Sequence, residues 1–156
     1  MHITARVDYA VRTLLELART PNAPAKAEAL TAAQAIPPKI METLLGDLRR
    51  GGLVASRRGP DGGYWLTRPA AEISIADVIR AVEGPLASVR GERPEDVTYS
   101  GSAEQLQRVW IALRVNLRAV LEGVSISNGI AWSPDGTLAY YNDTPTRQVA
   151  VFDYSR

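Results

Sequence analysis

The chain has no cysteine among its 156 residues, a single histidine, and few aromatics: three tryptophans, six tyrosines and one phenylalanine. Without a thiol it can form no disulfide, no thiolate-held zinc or iron–sulfur centre, and no cysteine nucleophile. Such a composition suits a reducing compartment, so a cytoplasmic protein is expected. The one histidine, His2, sits at the terminus. Alone it can build neither a Ser–His–Asp set nor a histidine-rich metal site. No apolar run approaches the ~18 residues needed to cross a bilayer, so no membrane partner is expected. The opening "MHITARVDYAVRTLLELA" mixes charges through its apolar positions, unlike a secretory leader. Nor is there a pair of carboxylates with an evident mechanism. Neither catalytic residues nor a cofactor is expected.

What is present is enough to fold. Hydrophobic residues make up 46% of the sequence, ample for a real core. The net charge of +1 conceals an asymmetry. Residues 1–68 hold ten Lys/Arg against six Asp/Glu, whereas the rest hold eight against eleven. The basic surplus lies entirely in the first part, which points weakly to a polyanionic partner.

Ile3, Val7, Val11, Leu14, Leu15 and Ala18 recur at helical spacing, predicting an amphipathic helix over residues 4–19, stopped near Pro21. A short helix follows around 26–34, with Ala29, Leu30 and Ala33 on one side. The segment "AIPPKIMETLLGDLRRGGLV" starts a third. Proline is tolerated in a first helical turn, Met41, Leu44, Leu45 and Leu48 supply the buried stripe, and Gly51-Gly52 the stop. "SIAD", Ser74 to Asp77, is a capping box that opens a helix closed by Gly84-Pro85. Residues 86–101 have no period and read as a loop. "SAEQ", Ser102 to Gln105, resembles a second capping box and opens the longest predicted helix, 103–122. Its near-heptad seam of Leu106, Trp110 (or Val109), Leu113, Leu117, Val120 and Leu121 suits dimerisation. The alternative is a helix packed on its own domain.

The stretch "SRRGPDGGYWL" decides the reading of the basic part. A phosphate-cradling glycine loop must run directly into a helix. Here the glycines run into "YWLTRP", a strand pattern. "LVAS" and "GYWLTR" therefore form a β-hairpin. A helix-turn-helix followed by a basic hairpin is the layout of a winged helix, in which the second helix enters the major groove and the wing reaches backbone or minor groove. Lys39, Glu42 and Thr43 lie off the buried stripe, where base edges would be met. Arg57 and Arg58 lie at the wing, where guanidiniums suit a narrow minor groove. The candidate DNA-binding set is Pro38, Lys39, Glu42, Thr43, Arg49, Arg57 and Arg58. The bland alternative for each charge is a solvated surface position.

These segments, above all "LRRGGLVASRRGPDGGYWL" followed by "EISIADVIRAVEG", resemble the Rrf2 family of bacterial transcriptional regulators over about residues 1–125. The resemblance implies a homodimeric winged-helix protein on double-stranded DNA, with the positions matching Lys39, Glu42 and Arg58 approaching bases. Many family members hold an iron–sulfur cluster through three cysteines in the loop before the dimerisation helix. Here that loop reads "GPLASVRGERPEDVTYSG" and has none, so the chain resembles a cysteine-free branch; what signal it senses, if any, is left open, an unidentified small-molecule effector being one candidate.

After about Ser125 the character changes. "ISNGIAWSPDGTLAYYNDTPTRQVAVFDYSR" holds five of the aromatics (Trp132, Tyr140, Tyr141, Phe152, Tyr154) and reads as three strands near 129–133, 137–142 and 147–153. Pro134-Asp135-Gly136 supplies a turn. The piece resembles one blade of the SMP-30/gluconolactonase/regucalcin propellers. There the asparagine matching Asn128 helps bind a divalent metal, but one asparagine cannot hold Ca²⁺. No metal site is expected, and a truncated or fused metal-dependent lactonase is the weaker alternative.

The expected fold is thus mainly α. A winged helix-turn-helix domain (1–84) is followed by a loop and dimerisation helix (85–125), then a short β-meander tail (126–156).

Overall fold

A computed structural model of the chain describes residues 3–21 and 23–126, together with the backbone of three strands at 129–132, 138–143 and 148–153. The helices are α1 (Ala5–Ala18), α2 (Ala27–Gln34), α3 (Pro38–Arg50), α4 (Ile75–Val82) and α5 (Leu106–Glu122). The strands are β1 (Val54–Arg57), β2 (Gly63–Leu66), β3 (Gly129–Trp132), β4 (Leu138–Asp143) and β5 (Gln148–Asp153). The architecture is mainly helical with a small hairpin, as the sequence predicts.

The Thr4 hydroxyl caps α1 by accepting from the Val7 amide at 3.2 Å. The buried face of α1 runs through Val7, Ala10, Leu14 and Leu17. It is rotated from the predicted stripe: Ile3 and Leu15 are 49% and 39% exposed. Because the 3.6-residue period admits two adjacent apolar rows here, only packing selects between them. In α2 Leu30 is buried but Ala29 and Ala33 are exposed, so one side chain anchors this helix to the core. The predicted stripe of α3 is buried throughout: Met41, Leu44, Leu45 and Leu48.

Local chemistry sets the helix ends. Pro38 occupies the first turn of α3. At its other end the Leu53 amide donates to the Leu48 carbonyl at 2.9 Å and the Gly52 amide to Arg49 at 3.1 Å. This is a Schellman closure, and it requires the left-handed φ of +71° at Gly52. The α2–α3 turn also uses a left-handed residue, Ala35 at φ 51°. The Arg12 guanidinium reaches across from α1 to the Gln34 carbonyl, satisfying an orphan acceptor of the α2 C-terminus.

The Ser74–Asp77 capping box forms as predicted, with both reciprocal bonds at 3.1 Å. The second predicted box does not. A short 3₁₀ turn (Gly101–Ala103) precedes α5, which starts at Leu106, and no side chain caps it. The Ala103 and Glu104 amides instead bond to the Ser100 and Gly101 carbonyls. Gly101, at φ 62°, bends the chain into that turn.

Helices α1, α3 and α4 pack together around one core that includes Leu14, Met41, Leu48, Ile73 and Val78. Within it the Asp47 carboxylate is buried but paired, accepting from Arg6 of α1 and Arg50 of α3. Strands β1 and β2 pair antiparallel from Val54↔Leu66 to Arg57↔Gly63. Ala25 extends this sheet by one bridge: its amide and carbonyl bond to Tyr64 at 2.9 and 2.8 Å. After α5 the chain returns to the core, where the Ile75 amide donates to Val124 and the Ile126 amide to Ile73, at 2.8 and 3.0 Å.

Beyond it, β3, β4 and β5 form an antiparallel meander in sequential order, matching the three expected strands. The Pro134–Gly136 turn, His2, Asn128 and the side chains of the tail aromatics lie outside the described residues.

Two stability outcomes follow from the polar contacts. Asp47→Ala should lower the unfolding free energy measured in urea by about 1–3 kcal/mol, because two charge-assisted hydrogen bonds are lost, while rehydration of the exposed Arg6 and Arg50 heads keeps the loss from being larger. Burial pushes the Asp77 carboxyl up, but hydrogen bonds from the Ser74 amide and hydroxyl and the Arg68 guanidinium outweigh it, leaving the group below its ordinary 3.8. A lowered folded-state value stabilises fully above about pH 4 and is lost as pH falls through the folded value. Acid titration followed by circular dichroism should therefore show a shallower loss of stability below pH ~4 in Asp77→Asn than in the parent chain.

Candidate nucleic-acid interface

Helix α3 turns one face into the core and leaves the other to solvent. Pro38, Lys39, Glu42, Thr43 and Arg49 are all exposed. The wing carries Arg57 at the end of β1 and Arg58 at the start of a five-residue tip, 58–62, and both are exposed. The tip is tightly wound. A Cβ on Gly62 would meet the Arg57 carbonyl oxygen at 2.2 Å, and one on Gly63 the Ala25 carbonyl oxygen at 2.7 Å. Only glycine fits this approach of backbone to backbone.

The two elements face one another. Glu42 and Arg49 of α3 and Arg57 and Arg58 of the wing line a single open cleft of about 490 Å³, with Ser56 and Tyr64 completing it. The Arg49 guanidinium donates to Ser56 Oγ at 3.4 Å and so ties the far end of α3 to β1. Arg57 donates to the Asp61 carbonyl at 3.2 Å, bracing the tip. Among the described residues, the side chains of Arg58, Lys39 and Glu42 have no hydrogen-bonding or ion-pair partner. Three arginines against one glutamate make the cleft cationic, which is the electrostatic character that phosphate contact demands.

The candidate set is not all in one place. Lys39 and Thr43 lie on the opposite flank of α3, in a second groove of about 390 Å³ shared with Arg6, Tyr9 and Ile40. The Thr43 hydroxyl donates back to the Lys39 carbonyl at 3.0 Å, so only its acceptor side is open outward. A helix lying in a groove presents both flanks to it, so this division is compatible with one docking pose.

Lys26 is a residue that the sequence reading missed. Its ammonium donates to the Gly59 carbonyl at 2.8 Å and holds the wing tip from 33 positions away. Tyr64 was also missed, although it lines both the wing cleft and a neighbouring hollow against Glu28, Thr31 and Pro38. Neither carries a local signal: each contact exists only because the Ala25 bridge brings the segments together.

Helix α5 packs only sparsely on the body. Leu121 is its buried residue; Leu106, Trp110 and Leu117 are half-buried, and Leu113 and Val120 are 48% and 65% exposed. Val109, at 54%, and Val115, at 54%, widen the exposed apolar face. The Trp110 indole donates to the Tyr99 hydroxyl at 3.1 Å, pinning it to the preceding loop. A helix packed wholly on its own domain would not leave this much apolar surface in water.

Residues 3–130 match the family model described as Rrf2, iron-dependent transcriptional regulator. A Mycobacterium tuberculosis chain named as an HTH-type transcriptional regulator is 46% identical over 129 residues, covering 82% of this chain and 80% of its own length. The HTH-type transcriptional regulator IscR of Pectobacterium atrosepticum is 30% identical over 151 residues, 96% of this chain and 92% of the relative. Among solved structures, CymR, the global cysteine regulator of B. subtilis, superposes with a TM-score of 0.65 at 26% identity, covering 81% of this chain and 94% of that one. The iron in the family description finds no matching donors here. The chain supplies no thiolate, and no group of three or more metal-ligating side chains occurs among the described residues.

Gly62→Ala should force the wing tip open. Amide exchange at Ala25 and Tyr64 is expected to speed up by about tenfold, a local loss of ~1.4 kcal/mol, while the α3 amides keep their protection.

Proposed function

The chain belongs to the Rrf2 family of helix-turn-helix transcriptional regulators, and from that premise we propose that it binds specific double-stranded DNA as a homodimer, without an iron–sulfur cluster. The observation that carries this reading is the cleft in which the exposed side of α3 and the arginines of the wing face the same space. In the proposed pose α3 enters the major groove. Lys39 donates to guanine or phosphate, and Glu42 accepts from a cytosine amino group. Arg58 reaches the adjacent minor groove, Arg57 and Arg49 contact the phosphate backbone, and Pro38 and Thr43 pack beside the base edges.

Pairing through α5 follows from its unpartnered apolar face of Leu106, Trp110, Leu113, Leu117 and Val120. Two copies related by a two-fold axis would present two α3 helices to half-sites about one helical turn apart, on a pseudo-palindrome. On this reading residues 1–84 read the DNA and 85–125 pair the subunits, while 126–156, apart from Ile126 that bonds back to the core, is a dispensable tail whose likeness to a propeller blade has no counterpart in function. The absence of any thiolate supports working without a cluster, and the cysteine-free composition supports a cytoplasmic setting. The lactonase alternative draws no support from the matched relatives, which are named as regulators.

Selection of bound fragments from genomic DNA with the purified protein should yield a two-fold-symmetric motif. On that motif Arg58→Ala and Lys39→Ala should each cost ~1–3 kcal/mol if they meet bases, and should relax preference at one position per half-site. Arg57→Ala should weaken binding evenly across sequences and reduce the salt slope by about one. Deleting residues 127–156 should leave both dimerisation and retention intact. Unselective retention without salt dependence would count against the whole reading.

A further inference from the structure

A second cationic hollow, sharing no residue with the wing cleft, lies where α4, the loop after it and α5 meet. It measures about 430 Å³ and is lined by Arg80 of α4, Arg93 of the loop, and Arg114 and Arg118 of α5, with Gly84, Pro85, Leu86 and Ala87 forming the remaining wall. None of these residues belongs to the candidate DNA-binding set.

The guanidiniums are shared out thinly. Glu122 accepts from Arg80 at 2.7 Å and from Arg118 at 3.0 Å. Glu95 accepts from Arg114 and lies 3.9 Å from the Arg93 Nε. Asp77 is 3.5 Å from Arg80 but is already engaged by Arg68 and the α4 cap. Four cations thus line the hollow, paired with two carboxylates, Glu95 and Glu122, that do not line it, and with a third, Asp77, that is already committed. Each guanidinium carries five donors in a planar fork, so most of these donors remain open to a further acceptor. Beside them, Pro85, Leu86 and Ala87 offer an apolar wall that an inorganic ion would not use.

We propose that this hollow between α4 and α5 binds a small organic anion bearing carboxylates, its charged ends on the arginines and its carbon body against Pro85–Ala87. The volume lies in the range of small-ligand sites, and the uncompensated charge suits a mono- or dicarboxylate. The site also has a route to the DNA. Arg80 rides on α4, which packs against α1 and α3, while Arg114 and Arg118 ride on α5 one residue beyond Leu113 and Leu117 of the apolar seam. A ligand that competes with Glu122 for Arg80 and Arg118 loosens one α4–α5 link and substitutes its own. That changes the angle between the DNA-reading domain and the pairing helix, and so the half-site spacing. This coupling rests on the proposed DNA-binding function; the binding itself does not.

The test is isothermal titration of the full chain with glutarate, neutral glutaramide and inorganic phosphate at matched ionic strength, without DNA. Glutarate should bind saturably, glutaramide should not, and phosphate should bind more weakly than glutarate. Arg118→Gln and Arg93→Gln, both at exposed positions, should each weaken glutarate by about tenfold or more, as loss of a charged hydrogen bond implies. Absence of saturable binding at millimolar glutarate, equal affinity in both variants, or phosphate binding as tightly as glutarate would overturn the proposal. Retention of selected DNA fragments without glutarate, measured in parallel, reports separately on the regulator reading.

Discussion

A helix of thirteen residues can serve as both core and probe only if its two faces are kept strictly apart, and α3 meets that constraint. Met41, Leu44, Leu45 and Leu48 are fully buried, while Lys39, Glu42, Thr43 and Arg49 are wholly on the other side. Burial of each such apolar side chain is worth roughly 1.5–3 kcal/mol, far more than any single surface contact, so the core fixes the rotation of α3 about its axis. That rotation decides which residues can meet a partner. Every other feature of the DNA-reading end refines an orientation that this packing has already set.

The refinements are polar and come mostly from α1. Its Arg12 caps the carbonyl end of α2, and its Arg6 meets the buried Asp47 of α3. Arg12 holds the α2–α3 turn at Gln34, and Arg6 ties α1 to the C-terminal half of α3 through a buried carboxylate that would be costly to leave unpaired. The wing is held in the same manner, by the Ala25 bridge, by Lys26 on its tip and by Arg49 reaching back from α3. Few of these bonds contribute much energy alone. Their collective effect is positional: the wing stays beside α3, with its arginines lining the same cleft as Glu42 and Arg49.

At the opposite end the chemistry is looser. Helix α5 is tied to the helical body by Leu121, the Arg80–Glu122 contact and the returning segment at Val124 and Ile126, and to the loop before it by Gln107, Trp110 and Arg114. Its apolar face is left in water, and the arginines at its root are shared among Glu95, Glu122 and Asp77. The loop that carries cysteines in many members of this family here contributes Arg93 and Glu95 to that cluster instead.

Short-range chemistry accounts for the α3 stripe, its diglycine stop, the Ser74–Asp77 cap and the hairpin around Gly62, and composition for the lack of any thiolate donor. These depend on backbone geometry and on periodicity within a few residues, which neighbours in sequence suffice to impose. Tertiary structure decided the rest. Which of two apolar rows of α1 is buried, why Ala29 and Ala33 stay in water, and why Ser102 caps nothing depend on partners tens of residues away. The division of the site into a wing flank and an α1 flank, the hold of Lys26 on Gly59 and the gathering of four arginines beneath α5 are likewise invisible locally. Each is a meeting of segments that only the closed core brings within bonding distance.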